Sequence, residues 1–98
     1  MEQSPKLFVL IDKRLSRSQQ AVQACHAVAE FAKAYPDWIH RSMVLLAVDG
    51  RDRLEHEWLN DKLVGFRHAA FREPYYDNHV TAIACHGCDE LIKELKLL

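Results

Sequence analysis

The chain has 98 residues, of which 49% are hydrophobic and 28% are charged, and its formal net charge is −1. This length and composition predict a single domain over residues 1–98, and the few glycines and prolines argue against a disordered or low-complexity chain. The small net charge excludes nucleic-acid binding through bulk charge, so any such site must be a local basic patch.

Hydrophobic periodicity predicts alternating strands and helices along the chain. Continuous apolar runs such as KLFVLID and SMVLLAVD are typical of strands buried on both faces. The predicted elements are strand 6–12, helix 17–35, strand 42–49, helix 51–63, strand 66–72, strand 79–85 and helix 88–98. This order, β-α-β-α-β-β-α, predicts an α/β three-layer sandwich with a mostly parallel sheet. The short connection EPYYDN indicates that the last two strands need not cross the sheet.

The long helix carries a narrow polar stripe when its residues are placed 100° apart. The opposite side is made of small apolar residues, so we predict that most of this helix is buried and that the polar stripe is its solvent-facing side. The stripe consists of Gln19, Gln23, His26, Glu30 and Lys33, and the apolar side of Ala21, Cys25, Val28 and Ala32.

The start of this helix combines a capping motif with basic residues. Ser16 to Gln19 fit the capping box S-x-x-Q, in which the Gln19 side chain bonds back to the Ser16 amide. Lys13, Arg14 and Arg17 surround the same helix N-terminus. Basic groups beside free helical amides favour a phosphate site, although such residues are as often simply solvated.

Two further features bear on chemistry. His26 lies on the polar stripe one turn after Gln23, so its imidazole could move protons near neutral pH, or it is an ordinary surface histidine. Tyr75 and Tyr76 follow Glu73 in a predicted loop. Their rings are placed either to stack on nucleotide bases or to cover the edge of the core.

Cysteine usage and the N-terminus predict the compartment. Cys25, Cys85 and Cys88 form no even-numbered disulfide set, which favours a reducing cytoplasm. The pair Cys85 and Cys88 has no second C-x-x-C partner, so we predict no metal site. The opening residues MEQSPK lack the features of a secretory signal, and no apolar run is long enough to span a membrane. We therefore expect a cytoplasmic protein without membrane contact.

Two stretches carry a resemblance to a known family. LSRSQQAVQACHA, residues 15–27, resembles the strand-to-helix signature of type II peptidyl-tRNA hydrolases, the archaeal and eukaryotic type. FREPYYDNHVTAIACHGCDELIKELKLL, residues 71–98, resembles the closing section of that family. The resemblance implies a mixed four-stranded sheet flanked by helices, commonly in a homodimer. It also implies cleavage of the ester between a peptide and tRNA, without metal or organic cofactor.

The resemblance assigns roles to matching positions. His26 and Glu73 are expected to handle protons or position water, and Gln19 and Gln23 to hydrogen bond at the ester. The expected contacts to tRNA phosphates are Lys13, Arg14 and Arg17.

The chain departs from the family pattern at two places. The helix-start lysine of the family is replaced by Gln19, and the loop after Glu73 is shortened to PYYDN. A neutral amide cannot match a lysine, because charge-assisted hydrogen bonds are about twice as strong as neutral ones. The main alternative is therefore a family-fold module that has lost hydrolysis and binds tRNA, another RNA or a protein partner. A third alternative is hydrolysis of a different small ester or amide.

Overall fold

The computed structural model describes residues 6–40 and 42–98, so most of the predicted N-terminal segment MEQSPK lies outside the described residues. Five strands form one sheet: β1 (Leu7–Asp12), β2 (Met43–Val48), β3 (Arg67–Glu73), β4 (His79–His86) and β5 (Lys96–Leu97). The helical elements are the α-helix α1 (Arg17–Ala34), a π-helix (Arg53–Lys62) and two short 3-10 helices (Pro74–Tyr76 and Leu91–Glu94).

The sheet is mixed, with the strand order β3-β4-β1-β2-β5. β1 pairs in parallel with β2, whereas β1–β4, β3–β4 and β2–β5 are antiparallel. The prediction of a mostly parallel sheet is therefore wrong. The short segment between β3 and β4 explains the difference, because a parallel connection needs a crossover of a dozen or more residues.

Two hydrophobic clusters cover the two faces of β1, as its continuous apolar sequence predicts. Leu7, Val9 and Ile11 pack under α1, and Phe8 and Leu10 pack on the other face with the π-helix. The domain thus has helices on both sides of a mixed sheet. β2 differs from its prediction, because only its π-helix side is buried and its α1 side remains exposed.

The predicted second helix, 51–63, is largely a π-helix. The Leu63 N–H donates to the Trp58 carbonyl, five residues back, over 2.9 Å. In an α-helix, Leu63 would lie about 180° from Leu54 around the axis. The wider turn of the π-helix brings Leu54, Trp58 and Leu63 to one side, and all three are fully buried. Burial of these side chains explains why the α-helical prediction is wrong here.

The predicted closing helix, 88–98, is also replaced. A 3-10 helix ends at Glu94, and the chain then extends as β5 along the edge of β2, where the Leu98 N–H donates to the Leu45 carbonyl over 3.1 Å. Without β5, β2 would present an edge of unpaired backbone groups. This pairing makes the sheet five-stranded, whereas the predicted family fold had four strands.

The cysteines also depart from expectation, because Cys85 and Cys88 form a disulfide and only Cys25 is free. Gly87, at φ +77°, turns the chain between them and brings their Cα atoms to 6.6 Å. Over residues 6–40 and 42–98, no three His, Cys, Asp or Glu side chains gather as metal ligands. Within the same ranges, no helix has the length and apolarity needed to cross a bilayer.

Candidate functional site

The polar stripe of α1 does not form its solvent-facing side. Gln23 is 1% exposed, whereas Ala21, Cys25 and Ala32 on the small apolar side are exposed. α1 lies mainly over β1, β3 and β4 and buries the side around Ala27. The predicted orientation of the helix is therefore wrong, and part of its polar stripe faces the end of β3.

Gln23 is the centre of a buried polar cluster. Its Nε2 donates to Glu73 Oε2 over 3.2 Å and to Gln19 Oε1 over 3.3 Å, and its Oε1 accepts from the Thr81 hydroxyl over 2.6 Å. Glu73 is 8% exposed and Thr81 is 2% exposed. Both amide protons and the amide oxygen of Gln23 are thus used within the chain, which fixes the Glu73 carboxylate in one orientation.

Thr81 is a member of the site that the sequence prediction missed. The β3–β4 register pairs Phe71 with Ala82 but Arg72 with Val80, so Thr81 is the extra residue of a β-bulge. A bulge interrupts the alternation of side chains and can turn a residue toward the opposite face. The sequence signal was a single polar residue inside the apolar run of β4.

His26 lies one turn beyond Gln23, on the exposed surface of α1. Its imidazole stacks on the Phe71 ring with 4.2 Å between the ring centroids and 10° between their planes. Phe71 lies two residues before Glu73 on β3. The stacking holds His26 at the β3 side of the helix, where the residue remains exposed to solvent.

One of the two hydrogen bonds of the predicted capping box forms at the start of α1. The Gln19 amide donates to Ser16 Oγ over 3.3 Å, which confirms Ser16 as the N-cap. The Gln19 side-chain oxygen, however, accepts from Gln23. Gln20 stabilises the preceding turn, because its Nε2 donates to the carbonyls of Lys13 and Leu15.

The three predicted phosphate contacts divide into two groups. Arg14 forms an ion pair with Asp49, with 3.0 Å between Nε and Oδ1. Lys13 and Arg17 line a cavity of about 590 Å³ together with Lys96, which the sequence placed in a helix distant from this turn. Among the residues that the structure describes, no ion pair includes Lys13, Arg17 or Lys96, so these three cations are available to an anion.

Replacing Arg14 with alanine is expected to raise the pKa of Asp49 toward its ordinary value. Hydrogen bonding and charge from Arg14 lower this pKa in the folded protein. A lowered carboxyl pKa adds stability above the ordinary pKa, and this stability is lost as pH falls through the folded value. The gain is small because both groups are exposed. NMR titration of the Asp49 carboxyl measures the shift, with Arg51→Ala as the control; an unchanged Asp49 titration in Arg14→Ala would contradict it.

Comparison with known proteins adds information on the fold. No protein-family model matches the chain, and no curated protein does. The chain is similar to a solved structure of a protein of unknown function from Agrobacterium tumefaciens, with a TM-score of 0.75 and 12% sequence identity over 99% of each chain. At this identity the likeness establishes a shared α/β fold and nothing about activity.

Proposed function

We propose that this protein hydrolyses the ester between tRNA and a peptide or N-blocked amino acid, as the type II peptidyl-tRNA hydrolases that its helix signature resembles do. The observation that carries the proposal is the hydrogen-bonded cluster of Gln19, Gln23 and Glu73. These residues were selected from the sequence, and they meet next to the exposed His26.

The cluster suggests how the reaction would proceed. Glu73 Oε2 accepts from Gln23, and its remaining acceptor capacity is available to a water molecule. The carboxylate or His26 would take the proton of this water as it attacks the ester carbonyl, and His26 could protonate the departing ribose oxygen. Gln23 has no free amide proton, so it acts as a positioning residue for Glu73.

Cationic contacts at the start of α1 would hold the tRNA, on the β2 side of the helix, while the cluster lies at the end of β3. Lys13 lies in the turn that leads into α1, and Arg17 is the first residue of α1, so both precede Gln19. Contacts with phosphates position a nucleic acid without reading its sequence, and they weaken as salt rises. Arg14 contributes to this surface only if its ion pair with Asp49 breaks and it binds a phosphate instead.

A second candidate is a module that binds tRNA, another RNA or a protein without hydrolysis. The hydrogen bond between the Gln19 and Gln23 side chains favours this candidate, because Gln19 occupies the position of the family's helix-start lysine and its oxygen is bonded within the chain. A buried polar cluster with all its bonds inside the chain also serves a purely structural role.

The test is release of an N-blocked amino acid from labelled acyl-tRNA by purified protein. His26→Ala and Glu73→Gln are each expected to lower turnover by about 10²–10⁴-fold, the usual contribution of a general acid or base. His56→Ala is the matched control, because His56 is exposed on the π-helix. Turnover that is unchanged in both site variants would reject the proposed roles.

Binding separates the two candidates. Wild-type protein that binds tRNA at low salt, weakly at high salt, and shows no turnover would support the module that has lost hydrolysis. Absence of both turnover and tRNA binding would favour a protein-interaction module.

We also propose that the protein is a cytoplasmic homodimer, as the family resemblance implies. Light scattering of the purified protein measures the mass in solution, and a monomer at micromolar concentration would reject the dimer. Fractionation of cells that express the protein tests its location.

A further inference from the structure

An uncovered trough runs between α1 and β2. α1 packs mainly on β1, β3 and β4, so the side chains of β2 that face the helix layer stay exposed, with Met43 at 43% and Leu45 at 39%. We call this feature the α1–β2 trough. Its apolar section has a volume of about 490 Å³ and is lined by Ala21, Ala24, Cys25, Val28, Met43 and Leu45, among others.

The trough continues toward the start of α1 into a cationic section. Leu45 and Ala47 lie two residues apart on β2 and therefore share a face. Lys96 of β5 pairs with Ala47, so it lies on that face too. Lys13 and Arg17 lie across from it and line the same cavity of about 590 Å³.

The two sections of the trough suit different parts of one ligand. The apolar section is lined by alanine, valine, leucine, methionine and cysteine side chains. The cationic section brings together Lys13, Arg17 and Lys96, none of which has an ion-pair partner within the described parts of the chain. A ligand that satisfies both sections has an anionic head and an uncharged chain.

We propose that the α1–β2 trough binds a single-chain fatty acid. The carboxylate binds between Lys13, Arg17 and Lys96, and the alkyl chain lies along the exposed side of α1 against Met43 and Leu45. Both sections fall in the range of about 300–1,000 Å³ that is usual for small-molecule sites.

A second copy of the chain fits this surface less well. In a two-fold dimer the same patch pairs with itself, so the patch must supply its own charge complement. Among the described residues, the side chains that line the two sections include three cations and no carboxylate, and the carboxylates of the adjoining cavity, Asp49 and Glu94, already pair with Arg14 and Lys62. Self-pairing would therefore bury these cations without partners, which is costly.

The test is calorimetric titration of the wild-type chain with dodecanoate below its micelle concentration. Dodecylamine, with the same chain and a cationic head, and acetate, with no chain, are the comparison ligands. Saturable binding of dodecanoate alone is expected. The NMR chemical-shift changes caused by dodecanoate should be located at residues 21–29 and 43–47 and at Lys13, Arg17 and Lys96.

Two pairs of variants locate the binding. Lys96→Glu is expected to weaken the binding of dodecanoate about tenfold or more, because it removes a charge-assisted contact. Lys93→Glu is its control, because Lys93 pairs with Glu90 outside the trough. Leu45→Asp should abolish binding, whereas Val64→Asp, at a residue 64% exposed elsewhere, should not. Lys96 is exposed, so Lys96→Glu remains informative even if Leu45→Asp fails to fold.

Several results would overturn the proposal. One is equal affinity of the wild-type protein for dodecylamine and dodecanoate, and another is unchanged dodecanoate affinity in Lys96→Glu. The third is a wild-type dimer that does not bind dodecanoate and that Leu45→Asp converts to monomers. The last result would assign the trough to a second copy. No tRNA is present in the titration, so its outcome is independent of the proposed hydrolase activity.

Discussion

Replacing Gln23 with alanine is expected to lower the free energy of unfolding by about 1–3 kcal/mol for each buried polar partner that loses its bond. The partners are the Glu73 carboxylate and the Thr81 hydroxyl, which are 8% and 2% exposed. Urea unfolding monitored by circular dichroism measures this change. Gln19→Ala is the comparison variant and should cost less, because it removes one bond of Gln23 at a half-buried position instead of the bonds of two buried partners.

The same variant tests the positioning role of Gln23. If Gln23 orients Glu73 for catalysis, Gln23→Ala should lower kcat with little change in KM, at a temperature where the protein remains folded. Equal loss of stability with unchanged kcat would mean that the cluster is structural.

Gln23→Glu provides a pH-dependent version of the test. This change keeps the shape of the side chain but places a second carboxylate beside Glu73, so one of the two folded-state pKa values must rise. A raised carboxyl pKa means that the folded state binds more protons. Relative to wild type, the variant should therefore lose stability as pH rises from the ordinary carboxyl pKa to the raised one. A stability difference from wild type that does not change with pH would show that the two side chains separate in the variant.

Replacing Trp58 with alanine is expected to destabilise the domain by about 3–5 kcal/mol, the usual cost of removing a large core aromatic. Trp58 is fully buried in the cluster beneath the π-helix, among side chains that include Leu10 and Leu63. Such a loss is a large fraction of the about 5–15 kcal/mol that a domain of this kind possesses. Thermal and urea unfolding measure the effect, and Trp38→Ala, at a half-buried residue on the other face, should cost less.

The indole nitrogen of Trp58 allows a second variant. Within the described residues, its buried N–H has no hydrogen-bond partner. Phenylalanine removes this unpaired donor while it keeps most of the apolar contact, so Trp58→Phe should be clearly more stable than Trp58→Ala. Equal destabilisation by the two substitutions would contradict this expectation.

The cluster around Gln23 joins residues that are far apart in the sequence. Two of the three bonds of Gln23 are made with residues 50 and 58 positions along the chain. Glu73 reaches the cluster at the end of β3, and Thr81 reaches it through the bulge in β4. A change that shifts the β3–β4 register would therefore displace Glu73 relative to Thr81 and break the cluster.

Local sequence patterns determined a large part of the fold. The apolar run of β1 predicted a strand buried on both faces, and Ser16 predicted the start of α1. The short segment after Glu73 predicted that β3 and β4 need not cross the sheet, and they form an antiparallel pair. These features depend on chain-local chemistry, namely hydrophobic runs, a capping hydroxyl and a connection too short for a crossover.

Candidate residues were also predictable in part. Gln19, Gln23 and Glu73 were selected from the sequence, and the structure brings them into one hydrogen-bonded cluster. Thr81 was missed, because a bulge cannot be located from a strict two-residue period. Lys96 was missed as a neighbour of Lys13, because its local pattern favoured a helix.

Only the tertiary structure decided which side of α1 meets the sheet. Helical periodicity defines which residues share a side, but both sides of this helix were compatible with burial: one is small and apolar, and the other carries amides that distant partners can satisfy. Glu73 and Thr81 supply those partners, so Gln23 is buried and the alanine side faces the trough. Packing of Leu54, Trp58 and Leu63 similarly decided the π-helix, and the open edge of β2 decided β5. In each case the deciding free energy comes from contacts between segments that are far apart in the sequence.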